Sequence, residues 1–204
     1  AFARTKRVLF FPDQHLGRNT ARAMGVPLEQ MCVWNPHQPR LGGNDAATLE
    51  QSRVILWQGH CSVHAMFRPE HVDALRANLP GVKVLVHPEC AMEVVDKADL
   101  AGSTSFIIKQ VEAAAPGTVW AIGTELHLVR RLEQEHPEQT IRFLSPTVCM
   151  CATMYRIDLA HLCWSLEQLE TGSPVNVISV DDETARWSVV ALERMLEVTA
   201  AAGR

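Results

Sequence analysis

The sequence predicts an α/β fold built from repeated three-layer αβα domains with parallel sheets. Two observations predict it. Short apolar runs alternate with helical stretches along most of the chain, the pattern of strands joined by crossover helices. One arrangement also recurs: Val8-Leu9-Phe10-Phe11-Pro12-Asp13 resembles Val84-Leu85-Val86-His87-Pro88-Glu89, in each case a strand, then Pro, then a carboxylate.

The elements follow in order. Val8 to Phe11 reads as a buried strand and Leu16 to Met24 as the helix after it. Cys32-Val33-Trp34 is a second strand. Residues 35–44 hold two prolines and two glycines and read as a loop. Val54 to Trp57 is a third strand, followed by a helix from about His64 to Leu79. The order then repeats. Val82 to Val86 is a strand, Ala91 to Lys97 and Phe106 to Ala115 are helices, Val119 to Ile122 is a strand, Leu126 to Gln134 a helix, and Ile141 to Leu144 a strand. Leu159, Leu162, Cys163, Leu166 and Leu169 share one helical stripe. These readings divide the chain into an α/β unit over 1–60, a second over 61–148, and a helical C-terminal segment over 149–204.

Nearly half of the 204 residues are apolar, enough for a well-buried core. Lys plus Arg number 19 against 23 Asp plus Glu, and no basic block stands out, which argues against a nucleic-acid footprint. The apolar runs are too short to span a bilayer. Arg4, Lys6 and Arg7 ahead of Val8 to Phe11 have the look of a secretion signal, but Pro12 and Asp13 interrupt the stretch and no cleavage site follows. A cytoplasmic protein without membrane or nucleic-acid partners is the expectation. The six cysteines, at 32, 61, 90, 149, 151 and 163, are then expected to be free thiols or metal ligands rather than disulfides.

In parallel α/β layers, sites gather beyond the carboxyl ends of the strands. The unusual chemistry of this sequence falls there: Gly59-His60-Cys61-Ser62-Val63-His64, His87-Pro88-Glu89-Cys90, Gly123-Thr124-Glu125, and Cys149-Met150-Cys151. Each of these cysteines precedes a helical stretch, and a helix N-terminus favours the thiolate that binds metal. The bland alternative is that a lone cysteine is a small buried hydrophobe. Cys32 and Cys163, among apolar neighbours, are assigned to core, and Cys90 is ambiguous. The coincidence of Cys61 with His64, His87 with Glu89, and Cys149 with Cys151 at strand ends raises a metal site to an equal footing. No paired C-x-x-C knuckles exist, which speaks against structural zinc. Three widely spaced cysteines on one iron–sulfur cluster would leave one iron without a protein ligand, open to act as a Lewis acid. Cys61 and Cys151, 90 residues apart, offer one such position per unit. Gly102-Ser103-Thr104-Ser105 precedes a helix and suits either a phosphate or carboxylate, or a simple N-cap. No glycine-rich nucleotide loop occurs.

These stretches together resemble the quinolinate synthase family. The resemblance is carried by Phe11-Pro12-Asp13-Gln14-His15-Leu16-Gly17-Arg18-Asn19, by Val33-Trp34-Asn35-Pro36-His37 with Gly42-Gly43-Asn44, by Gly59 to His64, by His87 to Cys90 with Glu93-Val94, by Gly102 to Ser105, by Gly123 to Glu125, and by Cys151 followed by Met154. The ordered set is far more specific than any one motif. The resemblance implies three similar α/β domains in a pseudo-threefold arrangement, each supplying one cysteine to a central 4Fe–4S cluster, with Cys61 and Cys151 as two of the three ligands. Cys149 stays open as a neighbour or alternative ligand. It implies His64, His87 and Glu89 as active-site residues, and Ser103 and Thr104 as groups that hold a substrate carboxylate or phosphate. It implies condensation of iminoaspartate with dihydroxyacetone phosphate to quinolinate in NAD biosynthesis, with a functional link to L-aspartate oxidase. The family's long segment before Phe11, with the first cluster cysteine, has no counterpart here. The expectation is therefore a fragment that lacks the first domain and is inactive alone. Two alternatives stand beside it: a zinc hydrolase using His64, His87 and Glu89, and a non-catalytic α/β module.

Overall fold

The computed structural model describes residues 5–148 and 154–201. The chain divides into two compact units, one within residues 1–151 and one within 152–204.

The first unit carries two parallel sheets. The first sheet has strands β1 (Val8–Phe10), β2 (Met31–Trp34) and β3 (Val54–Trp57) in the order β1-β3-β2. Helix α1 (Gln14–Ala23) crosses from β1, and a short helix α2 (Ala46–Gln51) precedes β3. Ala21, Val26, Val54 and Leu56 form the core between α1 and this sheet. The packing is tight because residue 17 is glycine: a Cβ there would come within 2.6 Å of Phe10 and 2.7 Å of Leu56.

The second sheet has β4 (Lys83–Val86), β5 (Leu100–Ala101), β6 (Val119–Gly123) and β7 (Thr140–Phe143), all parallel, in the order β5-β4-β6-β7. Strand alternation sends successive side chains to opposite faces. Val84, Val86 and Ala121 meet Val72 of α3 (Pro69–Asn78) and Val94 of α4 (Met92–Lys97). Leu85, Trp120 and Ile122 meet Ile107 and Val111 of α5 (Thr104–Glu112) and Val129 and Leu132 of α6 (Leu126–Glu135). Helices on both faces make this half a three-layer αβα sandwich, the mixed α/β architecture with parallel sheets that the alternating pattern predicts. The polar demand of Trp120 in this core is met internally: Trp120 Nε1–H donates to Gln139 Oε1 at 2.8 Å, and Gln139 Nε2 donates to the Val111 carbonyl at 2.9 Å.

The single helix expected over His64 to Leu79 is two pieces, a 3-10 turn at His64–Met66 and then α3, which begins at Pro69. Proline lacks the N–H that a continuous helix would need there, and it is well placed at a helix start.

The second unit holds a 3-10 turn at Met154–Arg156 and two helices, α7 (Leu159–Glu170) and α8 (Asp182–Ala201). Neither helix has a buried residue. The assignment of Cys163 to core is therefore corrected: its side chain is exposed, and its thiol donates to Glu167 Oε1 at 3.4 Å. Periodicity reveals an apolar stripe but not whether anything lies over it. Among the described residues no helix is long and apolar enough to cross a membrane.

Candidate metal-binding and catalytic site

Two loops, one from each sheet, build the site. The first leaves β3. Gly59 touches the start of α1, where its carbonyl accepts Gln14 N–H at 3.0 Å, and a Cβ at this position would lie 2.1 Å from the Pro12 carbonyl oxygen. Two residues on, Cys61 N–H donates to Asp13 Oδ2 at 2.9 Å. The Cys61 side chain is half-buried, and the 3-10 turn that follows brings His64 inward, where it is 7% exposed.

The second loop leaves β4. His87 N–H and the Cys90 thiol both donate to the Gly123 carbonyl, at 3.0 and 3.6 Å. Cys90 N–H donates back to the His87 carbonyl at 3.0 Å, closing a turn around Pro88 and Glu89. Glu89 N–H donates to His87 Nδ1 at 3.3 Å, so the neutral His87 ring carries its proton on Nε2.

The loops meet over the carboxyl edge of the second sheet. The His64 and His87 rings stack, with centroids 4.7 Å apart. His64 Nε2 lies 3.3 Å from Thr124 Oγ1. His64 Nδ1 lies 2.8 Å from Glu89 Oε2, yet the approach is off the direction of a ring N–H, and this buried nitrogen makes no hydrogen bond. A ring nitrogen that makes no hydrogen bond, with a carboxylate oxygen beside it, can present a lone pair to a cation. Cys61, His64 and Glu89 each offer a ligand atom, and these atoms all lie within 4.8 Å of one another. Among the described residues this is the group with the spacing of a metal site, and it pairs Cys61 rather than His87 with His64 and Glu89.

Burial sets the electrostatics. It pushes the His64 pKa down to about 4, with the neighbouring His87 adding to the effect and Asp13 opposing it. It also lowers the His87 pKa against a smaller opposite pull from Asp13. It raises the Glu89 pKa, and the Asp13 charge raises it further. Both imidazoles are thus neutral near pH 7, the form that binds metal or accepts a proton, while Glu89 moves toward the range of a proton-transfer group. Cys90 differs from the helix-start expectation. Burial pushes its thiol well above the ordinary range, so it is a core residue whose S–H bonds a carbonyl.

Ser103 and Thr104 lie off the carboxyl end of β5, the neighbour of β4, and both are exposed. Ser103 caps α5, with Oγ accepting Phe106 N–H at 3.3 Å. Cys149 and Cys151 lie outside the described residues. Sequence reasoning assigned no role to Asp13, Asn19 or Thr124, all buried against the site loops or behind them. Asp13 ahead of a helix is a readable N-cap signal, but its second partner, 48 positions away, is not.

A family model described as Quinolinate synthetase A protein matches residues 1–197. The chain belongs to this family. It is 64% identical over 198 residues to the quinolinate synthase of Rhodopirellula baltica, covering 97% of this chain and 50% of that protein. It is 58% identical over 191 residues to that of a Nocardioides species, covering 93% and 48%. It is 54% identical over 202 residues to that of Corynebacterium glutamicum, covering 99% and 51%. The chain spans about half the length of the curated relatives it matches.

Proposed function

We propose that this chain carries the catalytic half of a quinolinate synthase, which condenses iminoaspartate with dihydroxyacetone phosphate to quinolinate, releasing phosphate and water, in de novo NAD biosynthesis. The observation that supports the reading most is the convergence of Cys61, His64 and Glu89 at one strand edge. A cysteine sulfur beside a neutral imidazole and a carboxylate suits a cluster that uses cysteine ligands, with polar groups next to it for substrate oxygens. Cys61 and Cys151 would hold a 4Fe–4S cluster, which when bound supplies a Lewis-acidic iron.

The protein's own groups would handle the protons. Condensation requires a proton to leave a carbon next to the ketone of dihydroxyacetone phosphate, and dehydration requires a proton to reach a departing hydroxyl. Glu89, its pKa raised by burial, would take the first and return it at the second. His87 would serve as its partner, with Nδ1 3.8 Å from Glu89 Oε2 and the Nε2 proton directed elsewhere for donation. His64, held by Thr124 and stacked on His87, would orient substrate by hydrogen bonding. Ser103 and Thr104, at an exposed helix start on the same edge, would receive the phosphate or a carboxylate. The test is Glu89→Gln in a protein of the relatives' full length that carries this chain. Iron content should persist and turnover should fall by about a hundredfold or more. Near-normal turnover would remove Glu89 from the chemistry.

A further inference from the structure

Helix α1 touches the candidate site at two points, and the two points lie on loops from different sheets. At its start Asp13, 5% exposed, uses both carboxylate oxygens: Oδ1 accepts Leu16 N–H at 2.8 Å and Oδ2 accepts Cys61 N–H at 2.9 Å. At mid-helix Asn19, 7% exposed, donates Nδ2–H to the carbonyls of Pro88 and Cys90 at 2.8 and 2.9 Å. Those carbonyls flank Glu89. One turn further along, Arg22 pairs with Asp96 of α4 at 2.8 Å. The helix is seated directly on the first sheet at Gly17, where a side chain would collide with Phe10 and Leu56. One rigid element therefore links the loop of the thiol to the loop of the carboxylate.

We propose that Asp13 and Asn19 are positioning residues, and that α1 is a strut setting the Cys61 sulfur at its distance from the His64–Glu89 pair. The proposal deepens, and rests on, the reading that Cys61, as a cluster ligand, and the His64–Glu89 pair form one site. It explains why buried polar groups are spent on backbone atoms of the two site loops. Both ends of the strut are charged or amide groups bonded to fixed main-chain atoms, and such bonds hold a geometry that apolar packing alone would leave adjustable.

Asp13→Asn separates this role from helix capping. Asparagine is an equally good N-cap. Leu16 N–H and Cys61 N–H meet different oxygens of Asp13, and asparagine replaces one of those oxygens with an NH2 that cannot accept, so one of the two bonds is lost in this geometry. In hydrogen exchange on the metal-free chain, Asp13→Asn should keep a cooperative melt while the Cys61 amide exchanges at least about tenfold faster relative to the core amides, the loss expected for a bond to a buried carboxylate. With cobalt(II) as the probe, Asp13→Asn and Asn19→Leu should each bind at least about tenfold more weakly than wild type. Unchanged Cys61 exchange in Asp13→Asn, or unchanged cobalt affinity in both variants, would overturn the strut. Should Asp13→Asn fail to fold, the wild-type chain decides: a Cys61 amide protected like the core upholds the proposal, and one exchanging like an open loop overturns it. Failure of the metal reading would look different. Wild type would then show no thiolate-to-cobalt band, while the exchange difference at Cys61 persisted and upheld the strut.

Discussion

Asp13 and Glu89 occupy matching places in the two repeats and do opposite jobs. Each follows a strand and a proline. Asp13 turns back onto main-chain N–H groups, capping α1 and gripping the Cys61 amide. Glu89 leaves its helix uncapped and turns its carboxylate to His64, 2.8 Å away. The first carboxylate is structural and fully paired; the second is held beside a nitrogen that has no hydrogen bond.

Thiol reactivity should follow burial. Cys61 is half-buried, whereas Cys90 is fully buried, donates to the Gly123 carbonyl, and has its thiol pushed far up by that burial. In the folded, metal-free protein, iodoacetamide should modify Cys61 and leave Cys90 untouched until denaturant is added, as read by peptide mass spectrometry. Modification of Cys90 at the rate of Cys61 would contradict the packing.

Acid should destabilise the metal-free protein through its imidazoles. The His64 pKa falls from 6.5 to about 4 on folding, so the unfolded chain takes up that proton first as pH drops. The stability present above pH 6.5 is therefore lost as pH falls toward 4, by up to about 3 kcal/mol from this residue. His87 acts in the same direction. Glu89, raised from 4.5, acts oppositely, losing stability as pH rises through its folded value. Urea titrations of Glu89→Gln across this range should show the imidazole slope alone, steeper than wild type. A flat profile would mean that His64 is not buried in its neutral form.

Gly59 should tolerate no side chain. A Cβ would sit 2.1 Å from the Pro12 carbonyl oxygen, a fixed main-chain atom. Gly59→Ala should cost about 1–3 kcal/mol in urea unfolding and displace the Cys61 loop. Unchanged stability would show that the strand end yields easily.

The fold was largely legible because its signals are local. Val84, Leu85 and Val86 form a continuous apolar run because helices cover both faces of β4, and such a run between turn residues reads as a buried parallel strand. The meeting of Cys61, His64 and Glu89 in the candidate site was legible for a related reason: with His87 they are polar residues placed just where apolar strands stop. The contacts of Asp13 and Asn19 were not legible, since each acts on main-chain atoms of a loop remote in sequence. The exposure of Cys163 was not legible either, because a helical stripe has the same period whether or not another element covers it. The two-residue strand β5 and the six-residue helix α2 are too short to show a period at all.

The most direct test of a metal centre built on Cys61 is iron and acid-labile sulfide analysis after anaerobic purification, on a protein of the relatives' full length carrying this chain and on its Cys61→Ser variant. Wild type should hold both iron and sulfide, and Cys61→Ser should lose both while keeping its far-ultraviolet circular dichroism. A Cys61→Ser protein that retains iron and sulfide, or a wild type that carries zinc without sulfide, would contradict it.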